Sequence, residues 1–103
     1  MSARKLILIT AILSLAGAGI ASADDVGPDQ AIKLMKEGKI QPFEKLNEAA
    51  LAKHPGATVK ETELEKKRSG YVYEVELRDT KGVEWKVKLD AASGEIIRDQ
   101  QDD

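Results

Sequence analysis

The chain contains no cysteine, one histidine, one tryptophan, one phenylalanine and two tyrosines. Without cysteine it can form neither disulfides nor thiolate metal sites, so a small domain must hold together by packing alone. A single histidine leaves little material for a nucleophile–base pair or an imidazole metal centre. Neither charge dominates: 16 Lys and Arg stand against 18 Asp and Glu, a formal charge of −2. That balance argues against nucleic acid or anionic lipid as ligand, since both select strongly basic surfaces. Long apolar runs are missing too. The apolar stretch Leu6 to Ile20 has 15 residues, short of the roughly 17–25 that a membrane span needs.

That stretch follows Arg4 and Lys5 and precedes Ala21-Ser22-Ala23. A basic start, an apolar middle and a small-residue site read as a secretory signal peptide over residues 1–23, cut after Ala23. The mature chain would then hold 80 residues and, without Arg4 and Lys5, a formal charge of −4. This is one small domain. Export implies the periplasm, with the extracellular space as the other destination. No cysteine follows the signal, so no lipid anchor is expected, and no stable membrane anchor after cleavage.

Residues 24–41 read as a polar leader with a short helix that starts at Pro28, carries Ala31, Ile32, Leu34 and Met35 as an apolar stripe, and stops at Gly38. Pro42 to His54 is a second helix, with Phe43, Leu46, Ala50 and Leu51 on one arc and Glu44, Lys45 and Glu48 opposite. His54-Pro55-Gly56 ends it. "ATVKETELEKKRSG" reads as a charged edge strand, and the five-residue spacing of Val59 and Leu64 demands a bulge if both face the core. Ser69-Gly70 is expected to make the next turn.

"YVYEVELRDTKGVEWKVKLD" then alternates oil and charge over two strands. A three-residue loop, Thr80-Lys81-Gly82, sets Leu77 opposite Trp85, Val75 opposite Val87 and Tyr73 opposite Leu89; a two-residue loop would set Leu77 against Lys86. After "DAASGEII", with Asp90 and Gly94 shaping the loop, Ile96 falls opposite Leu89. The expected fold is α+β: two layers, a helix packed on a three- to four-stranded antiparallel sheet, with a short extra N-terminal helix. Residues 42–98 form the domain, and 99–103 read as a solvated acidic tail.

The helix ending in "HPG", then Tyr73-Glu74-Val75, Asp79, Gly82, Trp85, Val87 and "LDAASGEII", resembles a PepSY domain over Pro42 to Ile97. PepSY domains occur in propeptides of thermolysin-like peptidases, in membrane proteins and as stand-alone exported bacterial proteins. The resemblance therefore implies a regulatory or peptidase-inhibitory role, with no catalytic motif to carry over. No peptidase follows in this sequence, so the expected action is in trans.

The residues themselves offer little chemistry. Ser69 and Ser93 fall in turns and His54 at a helix end, so no oriented nucleophile and base are recognisable. Glu61, Glu63 and Glu65 share one strand face, as do Glu74 and Glu76, but Lys and Arg interleave with them as on a salt-bridged, solvated surface. Asp99, Asp102 and Asp103 lack the loop geometry of a hard-cation site. Tyr71, Tyr73 and Trp85 share the core face and so are not a stacking platform for nucleic acid. The expectation is a non-enzyme with no cofactor and no metal, whose partner is an envelope protein, either a peptidase or a sensor domain. The candidate binding face is Glu74, Glu76, Arg78, Glu84, Lys86 and Lys88. The alternatives are a homo-oligomeric or stress-protective envelope protein without a specific ligand and, behind that, a metal-handling protein or an enzyme.

Overall fold

A computed structural model describes residues 25–102; the signal peptide expected over 1–23 lies outside them. Two helices, α1 (Pro28–Lys36) and α2 (Phe43–Ala52), precede four strands: β1 (Thr58–Lys67), β2 (Gly70–Arg78), β3 (Glu84–Asp90) and β4 (Ile96–Gln101). The strands form one antiparallel sheet in the order β1-β2-β3-β4. The helices lie on one face of it, which is the expected α+β two-layer arrangement with all four strands present. No helix among the described residues is long and apolar enough to cross a membrane.

Local sequence sets the boundaries. Pro28 opens α1, where a missing N–H costs nothing, and Gly38 follows its end at φ +75°. The stripe on α1 is narrower than expected. Ala31 and Leu34, three apart, are buried, while Ile32 lies 100° round the helix from Ala31 and remains 49% exposed. Pro42 is the residue before α2 rather than its first turn. Leu46 and Ala50 are fully buried on the sheet, with Phe43 and Leu51 flanking them.

The core joins these helix positions to Leu64 of β1, Tyr73, Val75 and Leu77 of β2, and Val87 and Leu89 of β3. Full burial of side chains of this size contributes about 1.5–3 kcal/mol each. The β2–β3 register is Leu77 with Trp85, Val75 with Val87 and Tyr73 with Leu89, as the three-residue loop requires. Gly82 takes φ +82° there, a left-handed conformation that suits glycine. The bulge of β1 falls between Val59 and Glu61, so Val59 and Leu64 both reach the helix side. The β1–β2 turn differs from expectation. Arg68 and Ser69 form it, and Gly70 already pairs with Lys67.

The acidic tail read over residues 99–103 is corrected in its first half. Asp99, Gln100 and Gln101 belong to β4 and pair with Val87, Lys86 and Trp85, and the Asp102 N–H donates to the Glu84 carbonyl at 2.8 Å. The reason is backbone hydrogen bonding: β3 has an open ladder on that side, and polar side chains do not prevent its use.

Candidate functional site

Since β-strand side chains alternate, the face turned away from the helices carries every second residue of each strand. All six residues of the expected binding face lie there, on the two central strands. Cross-strand partners order them into rows. One row runs Glu63, Glu74, Lys88, Arg98. The next runs Glu61, Glu76, Lys86, Gln100. A third carries Arg78 beside Glu84, with Asp102 beyond. In the first two rows the acidic residues sit on β1 and β2 and the basic ones on β3 and β4. In the third row the order of charge reverses.

Glu74 is the centre of this face. It is only 8% exposed and lies 3.6 Å from Lys86 Nζ and 3.7 Å from Lys88 Nζ. The facing pairs expected from the register, Glu74 with Lys88 and Glu76 with Lys86, hold for the backbone. The ion pairs converge differently, because Lys86 leans diagonally to Glu74 and lies 4.0 Å from Asp102. Glu74, then Asp102, raises the Lys86 pKa above its ordinary value. In the third row Glu84 accepts from both Lys60 at 2.6 Å and Arg78 at 2.8 Å. These two contacts, that of Lys60 first, lower the Glu84 carboxyl pKa.

On the helix side, a polar chain closes the domain. The Trp85 indole N–H donates to Asp79 Oδ2 at 2.9 Å. Asp79 Oδ1 accepts the Lys81 and Val83 backbone N–H groups, each at 2.9 Å. The same carboxylate thus shapes the β2–β3 loop and orients the tryptophan. Its pKa is lowered, chiefly by the indole hydrogen bond and next by that of Val83. The His54 ring packs on Trp85 with centroids 4.4 Å apart, and its Nε2 lies 2.9 and 3.0 Å from the two Asp99 oxygens. His54 therefore lies just beyond the helix end, as expected, but ties that end to β4. No linear pattern marks this partner, because Asp99 lies 45 residues on.

Ser69 and Ser93, the serines among the described residues, are in turns. Ser93 Oγ accepts the Glu95 N–H at 3.2 Å, and the Ala92 and Ser93 N–H groups donate to Asp90 Oδ1. Ser69 is exposed in the β1–β2 turn. Tyr73 stacks on Phe43 with centroids 4.8 Å apart and donates its hydroxyl to Asn47 Oδ1 at 2.9 Å. Trp85 and Tyr71 are half-buried against the core, so the aromatics pack as expected.

A recess of about 280 Å³ opens where α1, Phe43 and Tyr73 meet β1, with Asp25 and Glu63 at its polar side. Asp25 bridges to Glu65, and carboxylate oxygens of Asp25, Glu63 and Glu65 lie within 4.8 Å of one another. Among the described residues these are the acids arranged most like cation ligands. Partial burial and then the neighbouring Asp25, Glu74, Glu65 and Glu61 raise the Glu63 pKa. Sequence spacing did not single out this set, because Asp25 joins it from outside β1.

Compared with known families, residues 40–100 match the PepSY family, described as peptidase propeptide and YPEB domain. The match covers more than half of the chain. The chain belongs to the PepSY family. Comparison with curated proteins and with solved structures returned no match. The PepSY match begins at Ile40, just before α2, and ends inside β4, so it takes in α2 and nearly the whole sheet. Asp79, Gly82 and Trp85, three of the residues that carry the resemblance, are those that set the β2–β3 loop and lock the tryptophan.

Proposed function

We propose that this PepSY domain is an exported, non-catalytic binding module. It acts in trans on a peptidase or on the sensor region of an envelope protein, and the open face of its sheet makes the contact. The observation that carries this reading is the ordered, uncovered charge array centred on Glu74, on the face opposite both helices. Arrays of this kind guide encounter and register between partners more than they add raw affinity. The side chains that sequence reading weighed for catalysis are in structural use: His54 on Trp85 and Asp99, Ser93 in its turn. A family described by peptidase propeptides supports a peptidase or its regulator as the partner class. Localisation in the periplasm rests on the basic-apolar-small pattern of residues 4–23.

The test is a crosslinking capture from the native envelope, with the natural chain as bait and the Lys86→Glu/Lys88→Glu chain as control. Enrichment of one peptidase or sensor protein, lost with the control, is the expected result, and turnover of a captured peptidase should change when the natural chain is added. Equal capture by both chains would remove the face from the reading. An empty capture, repeated under envelope stress, would remove the binding module itself.

A further inference from the structure

The row order of the open face has a symmetry property that a solvated surface does not need. Consider a two-fold axis in the plane of that face, parallel to the strands and midway between β2 and β3. It lays β1 of one copy over β4 of a second, and β2 over β3. Each row then meets its own reverse. Glu63 and Glu74 face Arg98 and Lys88, Glu76 faces Lys86, and in the third row Arg78 faces Glu84. In these three rows no charge meets one of its own sign. Under this axis any row with opposite signs on β2 and β3 meets its complement, whichever of the two strands carries the acid.

We propose that the open sheet face docks a second copy of this chain across that axis, giving a helix–sheet–sheet–helix dimer. The contact is isologous, as in most two-fold assemblies. Aligned sheets pack at about −30°, so the match is closest at the centre, where Glu74 and Glu76 of each copy cross Lys86 and Lys88 of the other. Each of those lysines then stands between carboxylates of two chains. Removing so many charges from water is costly, which makes the dimer weak and salt-sensitive. This inference goes beyond the binding-module reading and does not depend on it. A partner and a second copy would compete for one face.

The test is sedimentation velocity on protein purified from cells that express the full chain, over a concentration series at about 20 mM and about 0.5 M salt, either side of the ~10 Å screening length at 0.1 M. A dimer that grows with concentration at low salt and dissolves at high salt is expected. Lys86→Glu alone sets like charges together twice per dimer, and so does Glu76→Lys alone. Each should weaken self-association by about tenfold, two charge contacts being lost at once. An equimolar mixture of the two variants should recover a dimer containing one of each, because the reversed charges then face each other. Arg98→Glu mixed with Glu63→Lys repeats the logic at the exposed flanks, should a central variant melt early. A monomer at low salt throughout, a dimer indifferent to the single reversals, or folded variants that fail to recover on mixing would each overturn the proposal. Because the readout is the mass of the chain itself, failure here leaves the envelope capture untouched, and failure of the capture leaves this result standing.

Discussion

Replacing Tyr73 by Phe separates one hydrogen bond from everything else that tyrosine does. The ring is 1% exposed and stacks on Phe43, and Phe retains both features. What is lost is the 2.9 Å bond from the hydroxyl to Asn47 Oδ1, which links β2 to α2. A neutral hydrogen bond of this kind contributes about 0.5–1.5 kcal/mol net. Asn47 is half-buried, so water can replace part of the lost partner, and the cost should fall near the middle of that range. For a domain of this size, about 1 kcal/mol lowers Tm by roughly 4–8 °C. Thermal unfolding followed by circular dichroism at neutral pH measures it.

The same substitution has an alkaline signature. Burial raises the Tyr73 pKa, by more than the hydrogen bonding of its hydroxyl lowers it. A raised folded-state pKa means stability that is whole below the unfolded value, near 10, and is lost as pH rises through the folded one. The natural chain should therefore weaken more steeply than Tyr73→Phe above about pH 10, narrowing the gap between them. Lys86, whose pKa is also raised, adds to the alkaline loss in both chains and drops out of the difference. A Tm loss above about 15 °C at neutral pH, far beyond one hydrogen bond, would refute the reasoning. So would parallel pH curves.

Three further outcomes follow from the same packing. Leu46→Ala, which empties a fully buried position on α2, should cost about 2–5 kcal/mol in urea unfolding, with the midpoint falling and the slope unchanged. Asp79→Asn should flatten the acid limb of stability. The Asp79 pKa is lowered, so its contribution is present above the unfolded value near 3.9 and is lost as pH falls through the folded value; a Trp85 fluorescence titration of both chains checks the difference. Gly94→Ala should cost about 1–2 kcal/mol, because Gly94 has φ +81° and an added Cβ would come within 3.1 Å of Gln41 Oε1. Chemical denaturation measures that cost.

The central hairpin was legible because a one-residue slip would turn every apolar side chain to the wrong face, and a single loop length avoided placing Leu77 against Lys86. The β1 bulge was legible from an odd spacing, Val59 to Leu64, that no regular strand allows. Other features left no mark in the linear pattern. The extent of β4 was hidden because ladder hydrogen bonds are made by the backbone, and "RDQQ" carries no oily alternation to announce them. The His54–Asp99 link and the Asp25–Glu63–Glu65 grouping join residues distant in sequence, and only the folded register brings them together. On the open face the positions of the six expected residues were legible, whereas the convergence of both lysines on Glu74 was not. Side-chain reach along the diagonal decided that, rather than Cα pairing.

The two faces of the sheet divide the work. Asp79 is occupied by three hydrogen bonds, Gly82 by its left-handed backbone, and Trp85 by Asp79 on one side and His54 on the other. Residues so engaged fix the hairpin and close the helix onto it. The features that place this chain in the PepSY family therefore argue for a scaffold and are silent about what it recognises. In the function proposed above, recognition falls to the charged groups of the opposite face. There opposite charges pair across neighbouring strands, Glu74 with Lys86 and Lys88 and Glu84 with Arg78, an arrangement that stabilises the sheet itself. Reversing single charges at the exposed flanks, such as Arg98, tests whether the array also serves recognition, because Glu74 then keeps both of its lysines.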